Sequence, residues 1–344
     1  MARNNRVFYA CQAVAITPLG VAPVTTAHIV RGAQSVGMNS TFTLDQAFEL
    51  GQIEIYENIE EVADIEVTVE KVIDGRKLIY DLATDGSCKT DLVAASKKRC
   101  SVLVGIFDDG LSHATGVPRH VVCNSGMFVS SVNYSYTIDG SATETVGFAG
   151  NDRYWDGARA NCSIVATDVP ATGIWTTSNP TSDLDGSDVP LSGVVRRTDV
   201  DVVNSTIPNE VARQQVSEDA VGASDGMRLS SITVSTDFGQ ENIQELGRFG
   251  PYTRFASFPI EVTCEFELVA GSGDLINVSG THPNLQNRTI VIKDTAGTIL
   301  NLGTANKLSS VAYAGGDTGG GNATCTYSYS NFNVLTVHGG AAGS

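Results

Sequence analysis

Residues 49–70 read "ELGQIEIYENIEEVADIEVTVE", and residues 245–265 read "ELGRFGPYTRFASFPIEVTCE". Glu49-Leu50-Gly51 matches Glu245-Leu246-Gly247, and Tyr56 matches Tyr252, all at an offset of 196. Ile65-Glu66-Val67-Thr68 then matches Ile260-Glu261-Val262-Thr263 at an offset of 195. Upstream, Ser35 pairs with Ser231 and Phe42 with Phe238. A second block, "SSVNYSYTIDGSATET" from Ser130, resembles "SSVAYAGGDTGGGNATCT" from Ser309. Two blocks in the same order in each half mark a duplication, with a period far longer than a solenoid repeat.

Each copy has a layout of its own. Thr43-Leu44-Asp45-Gln46 fits a helix capping box and Gly51 fits a helix stop, with Asp237, Gln240 and Gly247 as counterparts. The pattern predicts one short helix per copy. A strand follows in which Ile65, Val67 and Val69 alternate with Glu66, Thr68 and Glu70. In the second copy Ile260, Val262, Cys264, Phe266 and Leu268 alternate with Glu261, Thr263, Glu265 and Glu267. Further alternating stretches at 101–107, 128–136, 289–293 and 323–329 are divided by Gly/Asp/Asn turns. The expected fold is mainly β: two repeated barrel- or sandwich-like domains, residues 1–150 and 227–344. Between them, residues 151–226 read as a connector with surface loops, with one possible helix at 205–216.

The chain has 344 residues, 42% hydrophobic and 17% charged, a globular balance. The formal net charge of −16 disfavours a basic surface that grips nucleic acid. No run of apolar residues is long enough for a membrane span. The N-terminal stretch is interrupted by Gln12, Thr17 and Pro18, and reads as a buried strand and not a signal peptide. Seven Cys without metal spacing fit reduced, buried thiols.

Catalytic patterns are weak. Gly222-Ala-Ser224-Asp-Gly226 has the letters of a nucleophile elbow without the strand before it and the helix after it. The Gly-rich run from Gly315 lacks the Gly-Lys-Ser/Thr of a phosphate loop. Among His28, His113, His120, His282 and His338, His120 with Cys123 makes a single metal-type pair, too few for a closed zinc site. Glu60-Glu61 and Asp108-Asp109 are adjacent pairs that point apart on a strand. The sequence therefore implies no enzyme, no cofactor and no metal.

The order of a capped segment, Glu-Leu-Gly, an exposed aromatic and then "PIEVTCE" resembles the tail tube proteins of tailed bacteriophages. The resemblance covers about two thirds of the chain. It implies a β-barrel or sandwich-like domain that assembles into stacked rings, whose inner sheets form a tube for DNA. Under it, Glu66, Glu261, Glu265 and Glu267 are the candidates for an acidic lumen. The chain's two copies then imply homotrimeric, pseudo-hexameric rings. The partners implied are further copies of the chain, the tape measure and other tail proteins, with genomic DNA passing without tight binding. The implied location is the virion tail, assembled in the host cytoplasm. Two other roles stay open: a baseplate hub or distal tail protein of the same fold, and a carbohydrate-binding β protein using Trp155 and Trp175.

Overall fold

The structure is a computed structural model and describes residues 6–19, 28–51, 53–84, 92–108, 118–155, 193–202, 228–247, 249–270, 285–316 and 321–339. The chain is mainly β. The first half contains β1 (Gln12–Pro18), β2 (Ala33–Thr41), β3 (Leu44–Phe48), β4 (Ile55–Glu60) and β5 (Asp64–Val72). Two short helices follow, α1 (Ile79–Ala83) and α2 (Leu92–Ala95). Then come β6 (Cys100–Ile106), the long β7 (His120–Thr137), β8 (Thr143–Gly150), β9 (Asp152–Trp155) and β10 (Val200–Val202). The second half contains β11 (Arg228–Asp237), β12 (Gln240–Ile243), β13 (Thr253–Ala256), β14 (Glu261–Val269), β15 (Val291–Asp294), β16 (Ile299–Asn301), β17 (Lys307–Ala314), β18 (Thr324–Phe332) and β19 (Thr336–His338).

The main sheet runs β2-β5-β8-β7-β11-β14-β18-β17. Its first four strands and its last four are the two sequence copies, laid head to tail. β2 corresponds to β11, β5 to β14, β8 to β18, and the C-terminal part of β7 to β17. Irregularities fall at matching places: between Ala33 and Ser35 and between Leu229 and Ser231, and again between Val129 and Ser131 and between Leu308 and Ser310. A bulge adds an unpaired residue and bends the strand, so matching bulges give both copies the same curvature.

The register corrects the sequence alignment. Ser35 lies opposite Glu70 and Ser231 lies opposite Glu267. Each serine hydroxyl donates to its glutamate, at 3.2 and 3.1 Å. The offset along this strand is therefore 197, not 195: Ile65 corresponds to Val262 and Glu70 to Glu267. A slip of two residues keeps every side chain on its face, so alternation alone does not reveal it.

The expected short helices are not there. Leu44–Phe48 is a strand paired with Ile55–Glu60, and Gln240–Ile243 is a strand paired with Thr253–Ala256. Each copy inserts a β-hairpin between its first and second strands. Gly51 and Gly247, read as helix stops, have φ of +96° and +86° and sit in the hairpin turns. A left-handed glycine serves a turn as well as a helix end. Asp237, read as a cap, accepts instead the N–H of Gly239. The facing strands carry Ile55, Tyr56 and Ile59 in one copy and Phe255 in the other, with Tyr252 just before it, and these β-formers decide the outcome. Among the described residues, helices occur in the first half only. The 205–216 segment lies outside the described residues, whereas β9 and β10, within the stretch read as connector, belong to sheets of the fold.

One face of the main sheet carries the core, which continues across both copies: Val67, Val69, Val132, Tyr134 and Phe148 on one side, Val234, Cys264, Phe266 and Tyr329 on the other. The cover over the first copy is β1, β6 and α1, as the alternation-free apolar run in β1 requires. Glu144, fully buried, accepts the N–H groups of Ile79 and Tyr80 at the start of α1 at 2.6 and 3.1 Å, and the Tyr134 hydroxyl at 3.1 Å. Burial raises its pKa, and the nearby Lys71 opposes that shift. A second sheet, β10-β15-β16-β19, adds Val200, Ile292, Leu300 and Val337 to the core. Cys11, Cys100, Cys264 and Cys325 are buried and outside any disulfide, but Cys123 is disulfide-bonded, against the expectation of reduced thiols throughout. Residue spacing carries no record of which thiols meet in space.

Asp294, in β15, accepts the N–H of Thr298 at 2.9 Å and a hydrogen bond from Tyr136. Burial pushes its carboxyl up to about 6 from an unfolded value near 3.8. A raised carboxyl pKa means the folded chain holds the proton longer, so this group's contribution falls as pH rises from about 4 to about 6 and is constant above that. Asp294→Asn should remove a loss on the order of 2–3 kcal/mol across that window, read as the difference between urea denaturation curves of the two proteins at pH 4 and pH 7.

Candidate assembly interface

The two copies meet where β11 pairs with β7. Ile232 lies opposite Tyr136, Val234 opposite Tyr134 and Thr236 opposite Val132. The second hairpin, β12–β13, reaches back over the first copy. Arg254 donates to Asp64 at 2.6 Å, to Asn151 at 3.2 Å and to the Gly150 carbonyl at 3.4 Å. Gln240 donates to the Val129 carbonyl at 2.9 Å, and Asn242 to Asp64 at 3.5 Å. Phe238, at the root of this hairpin, is fully buried.

The same surfaces recur at the two ends of the main sheet, where no described residue pairs with them. β2 is the edge strand at one end and β17 the edge strand at the other. Phe42, the counterpart of Phe238, is 72% exposed, and Tyr313, the counterpart of the wholly buried Tyr134, is 56% exposed. Among the described residues nothing covers the first hairpin, β3–β4, and Leu44, Phe48, Ile55, Tyr56 and Ile59 are all exposed. Equivalent residues are thus buried at the joint inside the chain and bare at its ends. Bare strand edges and apolar surface of this extent mark an interaction site. The tips of both hairpins stay uncovered: Leu50 and Leu246 are fully exposed, beside Ile53 and Phe249.

The sheet's other face is open and carries small hydroxyl and acidic side chains. One row across it reads Ser35, Glu70, Thr145, Asn133, Ser235, Thr263, Ser330 and Lys307, strand by strand. Glu66, Glu261, Glu265 and Glu267 all project from this face; the last three share β14, and Glu66 stands on β5. Ser328 donates to Glu265 at 3.1 Å, as Ser231 does to Glu267, so hydroxyls on neighbouring strands orient the carboxylates.

Of the weak chemical motifs, residues 222–226, His113, His282, Asp109 and Trp175 lie outside the described residues. Among the described residues no group of three His, Cys, Asp or Glu could hold a metal, and Cys123 of the His120–Cys123 pair is disulfide-bonded. No helix of the described residues is long and apolar enough to cross a membrane. Trp155 is exposed at the end of β9. Sequence reading paired Phe42 with Phe238 without giving it a role, and passed over Asn58, Arg254, Tyr313 and Phe332. Matching the copies residue by residue would have singled out the first three.

No protein-family model matches the chain, and no curated protein is similar to it. Among solved structures, it is similar to a chain of the anti-feeding prophage baseplate, at 13% identity and a TM-score of 0.32, covering 48% of this chain and 99% of that one. It is also similar to a chain of the anti-feeding prophage cap, which terminates the tube, at 11% identity and a TM-score of 0.33, covering 46% of this chain and 95% of that one.

Replacing matched phenylalanines should give opposite results in the isolated chain. Phe238→Ala should cost about 3–5 kcal/mol in urea denaturation, and Phe42→Ala should stay within about 0.5 kcal/mol of the parent. Equal losses would mean that Phe42 already has its partner within the chain.

Proposed function

We propose that this chain is a structural protein of a phage-like tail, a subunit that closes into rings and stacks to form the tube. The observation that supports it most is the head-to-tail order of the main sheet, with β2 the edge strand at one end and β17 at the other. The second copy begins with a strand that pairs with the last strand of the first; a second chain can continue the series in the same way. Such heterologous contacts close into a ring when the rotation between units divides a full turn, and otherwise run on as a filament. Three chains would supply six units, with true three-fold and approximate six-fold symmetry.

The open face then lines the channel. Glu66, Glu261, Glu265 and Glu267 sit among Ser and Thr on it, and Lys307 stands at one corner. Each cationic contact to phosphate adds salt-dependent affinity, so a wall of carboxylates and hydroxyls lets DNA pass without holding it. The uncovered hairpin tips supply apolar surface for stacking one ring on the next. The role is architectural and requires no catalysis or cofactor; the partners are further copies, the tape measure and other tail proteins, within the virion tail assembled in the host cytoplasm.

Translating the β7–β11 register onto the free edges puts Asn39 of one chain opposite Ala312 of the next, as Ser235 lies opposite Asn133. Both positions are exposed. Directly opposed residues on antiparallel strands lie within disulfide range. Asn39→Cys with Ala312→Cys should therefore yield, on oxidation, a covalent ladder ending at a closed species of three 36.2 kDa chains. Electron microscopy should show rings or tubes. No linkage between chains, or a ladder without closure, would refute the ring, and six chains per ring would refute the trimer. Single rings that never stack would favour a hub or cap position.

A further inference from the structure

The internal joint predicts where the outer one forms, but its residues do not carry over. Four groups make the polar anchors of the inner joint: Gln240, Asn242, Arg254 and Asn151. The structural offsets carry Gln240 to Leu44, Asn242 to Gln46 and Arg254 to Asn58, and they carry Asn151 to Phe332. Asp64, which receives Arg254, corresponds to Glu261, and Glu261 lies opposite Phe332 on β18. The arginine is lost, and two of the four anchor positions become apolar. Leu44 and Phe332 are 56% and 54% exposed, and Phe42 beside Leu44 is 72% exposed.

We propose that the first hairpin is a latch that seats on the β18 end of a second copy of this chain, carrying Phe42 to the place that Phe238 fills at the inner joint, Leu44 over the Leu308 carbonyl and Asn58 over Phe332. The proposal rests on the ring reading and adds a rule to it. The two joints differ in chemistry: the inner is held by an arginine–carboxylate pair and amides, while the outer has no arginine and gains Leu44 and Phe332. This difference sets the order of units. If the second hairpin were to seat on the second copy of another chain, Arg254 would be set against Phe332. Lys307, which takes the place of Phe128, would stand at the same end of the sheet. A guanidinium there keeps a carboxylate in Glu261 but loses the Asn151 acceptor and meets the like charge of Lys307, and a lost acceptor beside a like charge disfavours the wrong partner. First hairpins therefore seat on second copies of neighbouring chains, while second hairpins stay within their own chain.

The outer joint also behaves differently with salt. Apolar association is not screened, whereas an arginine–carboxylate contact at a partly exposed site is. The wild-type ring should hold together from low to high salt.

Phe332→Glu places a carboxylate opposite Glu261 at an exposed position, where folding of the single chain should be unchanged. Sedimentation should show association of the variant weakened at least tenfold, with the same thermal unfolding as the parent. Asn58→Arg together with Phe332→Asn transplants the inner anchors to the outer joint. It should still associate, but more weakly as salt is raised. If wild type forms rings by the cysteine linkage and Phe332→Glu associates as tightly as wild type, the latch is wrong and the ring stands. If wild type shows no linkage between chains, the ring reading fails and the latch with it. If the double variant assembles without salt dependence, the assignment of Asn58 to the place of Arg254 is overturned.

Discussion

The pairing of β11 with β7 is the contact on which the rest of this architecture depends. It joins two copies of one β unit edge to edge and carries a single core across them. It buries Phe238 and Tyr134 and gives the second hairpin a surface on which to lie. It also fixes what is left over. A head-to-tail series of two has one unused edge of each kind, and the chain's ends present those edges, with the counterparts of the buried residues still bare. Exposed edges of this sort are an aggregation hazard in a monomer. Here they carry Ser, Gly and Asn, and the register of the inner joint translates onto them residue for residue.

Much of the β unit was legible in the sequence. The alternation at Ile65, Val67 and Val69 marks a half-buried strand, and the glutamates between them do stand on the uncovered face. The order of paired blocks gave the duplication. Three things were not legible, each for a physical reason. Thr43-Leu44-Asp45-Gln46 followed by Gly51 satisfies a helix and a hairpin alike, because a left-handed glycine ends either. The offset of 195 was wrong by two residues because strand periodicity is two, and hydrogen bonds such as Ser35 to Glu70 are needed to set the register. Arg254 looked like an ordinary surface residue because its partner Asp64 is 190 residues away in the chain.

The two faces of the main sheet do different work. The core face holds a few buried charges, Lys71 and Glu144 among them, and these are tied to helix α1 and its approach: Glu144 to backbone N–H groups of α1, and Lys71 to Asp74 and the Lys77 carbonyl at 3.3 and 2.8 Å. Burying such groups costs free energy unless they are fully hydrogen-bonded, and the cluster occurs in the first copy, where Glu144 corresponds to Cys325 in the second. Duplication thus left the open face alike in both copies while the covered face diverged around different covers. The hairpins diverged as well: Gln240 and Arg254 of the second correspond to Leu44 and Asn58 of the first.

Amide hydrogen exchange before and after assembly tests the central claim most directly. In the single chain, β7 and β11 should already be protected along their shared register, from Ser131 to Thr137 and from Ser231 to Asp237, while the outward amides of β2 and β17 exchange freely. On assembly, protection should appear along β2 from Val36 to Thr41 and along β17 from Ser310 to Ala314, together, and β7 and β11 should not change. Assembly that leaves both end strands exchanging at their single-chain rates would contradict edge-to-edge continuation of the sheet.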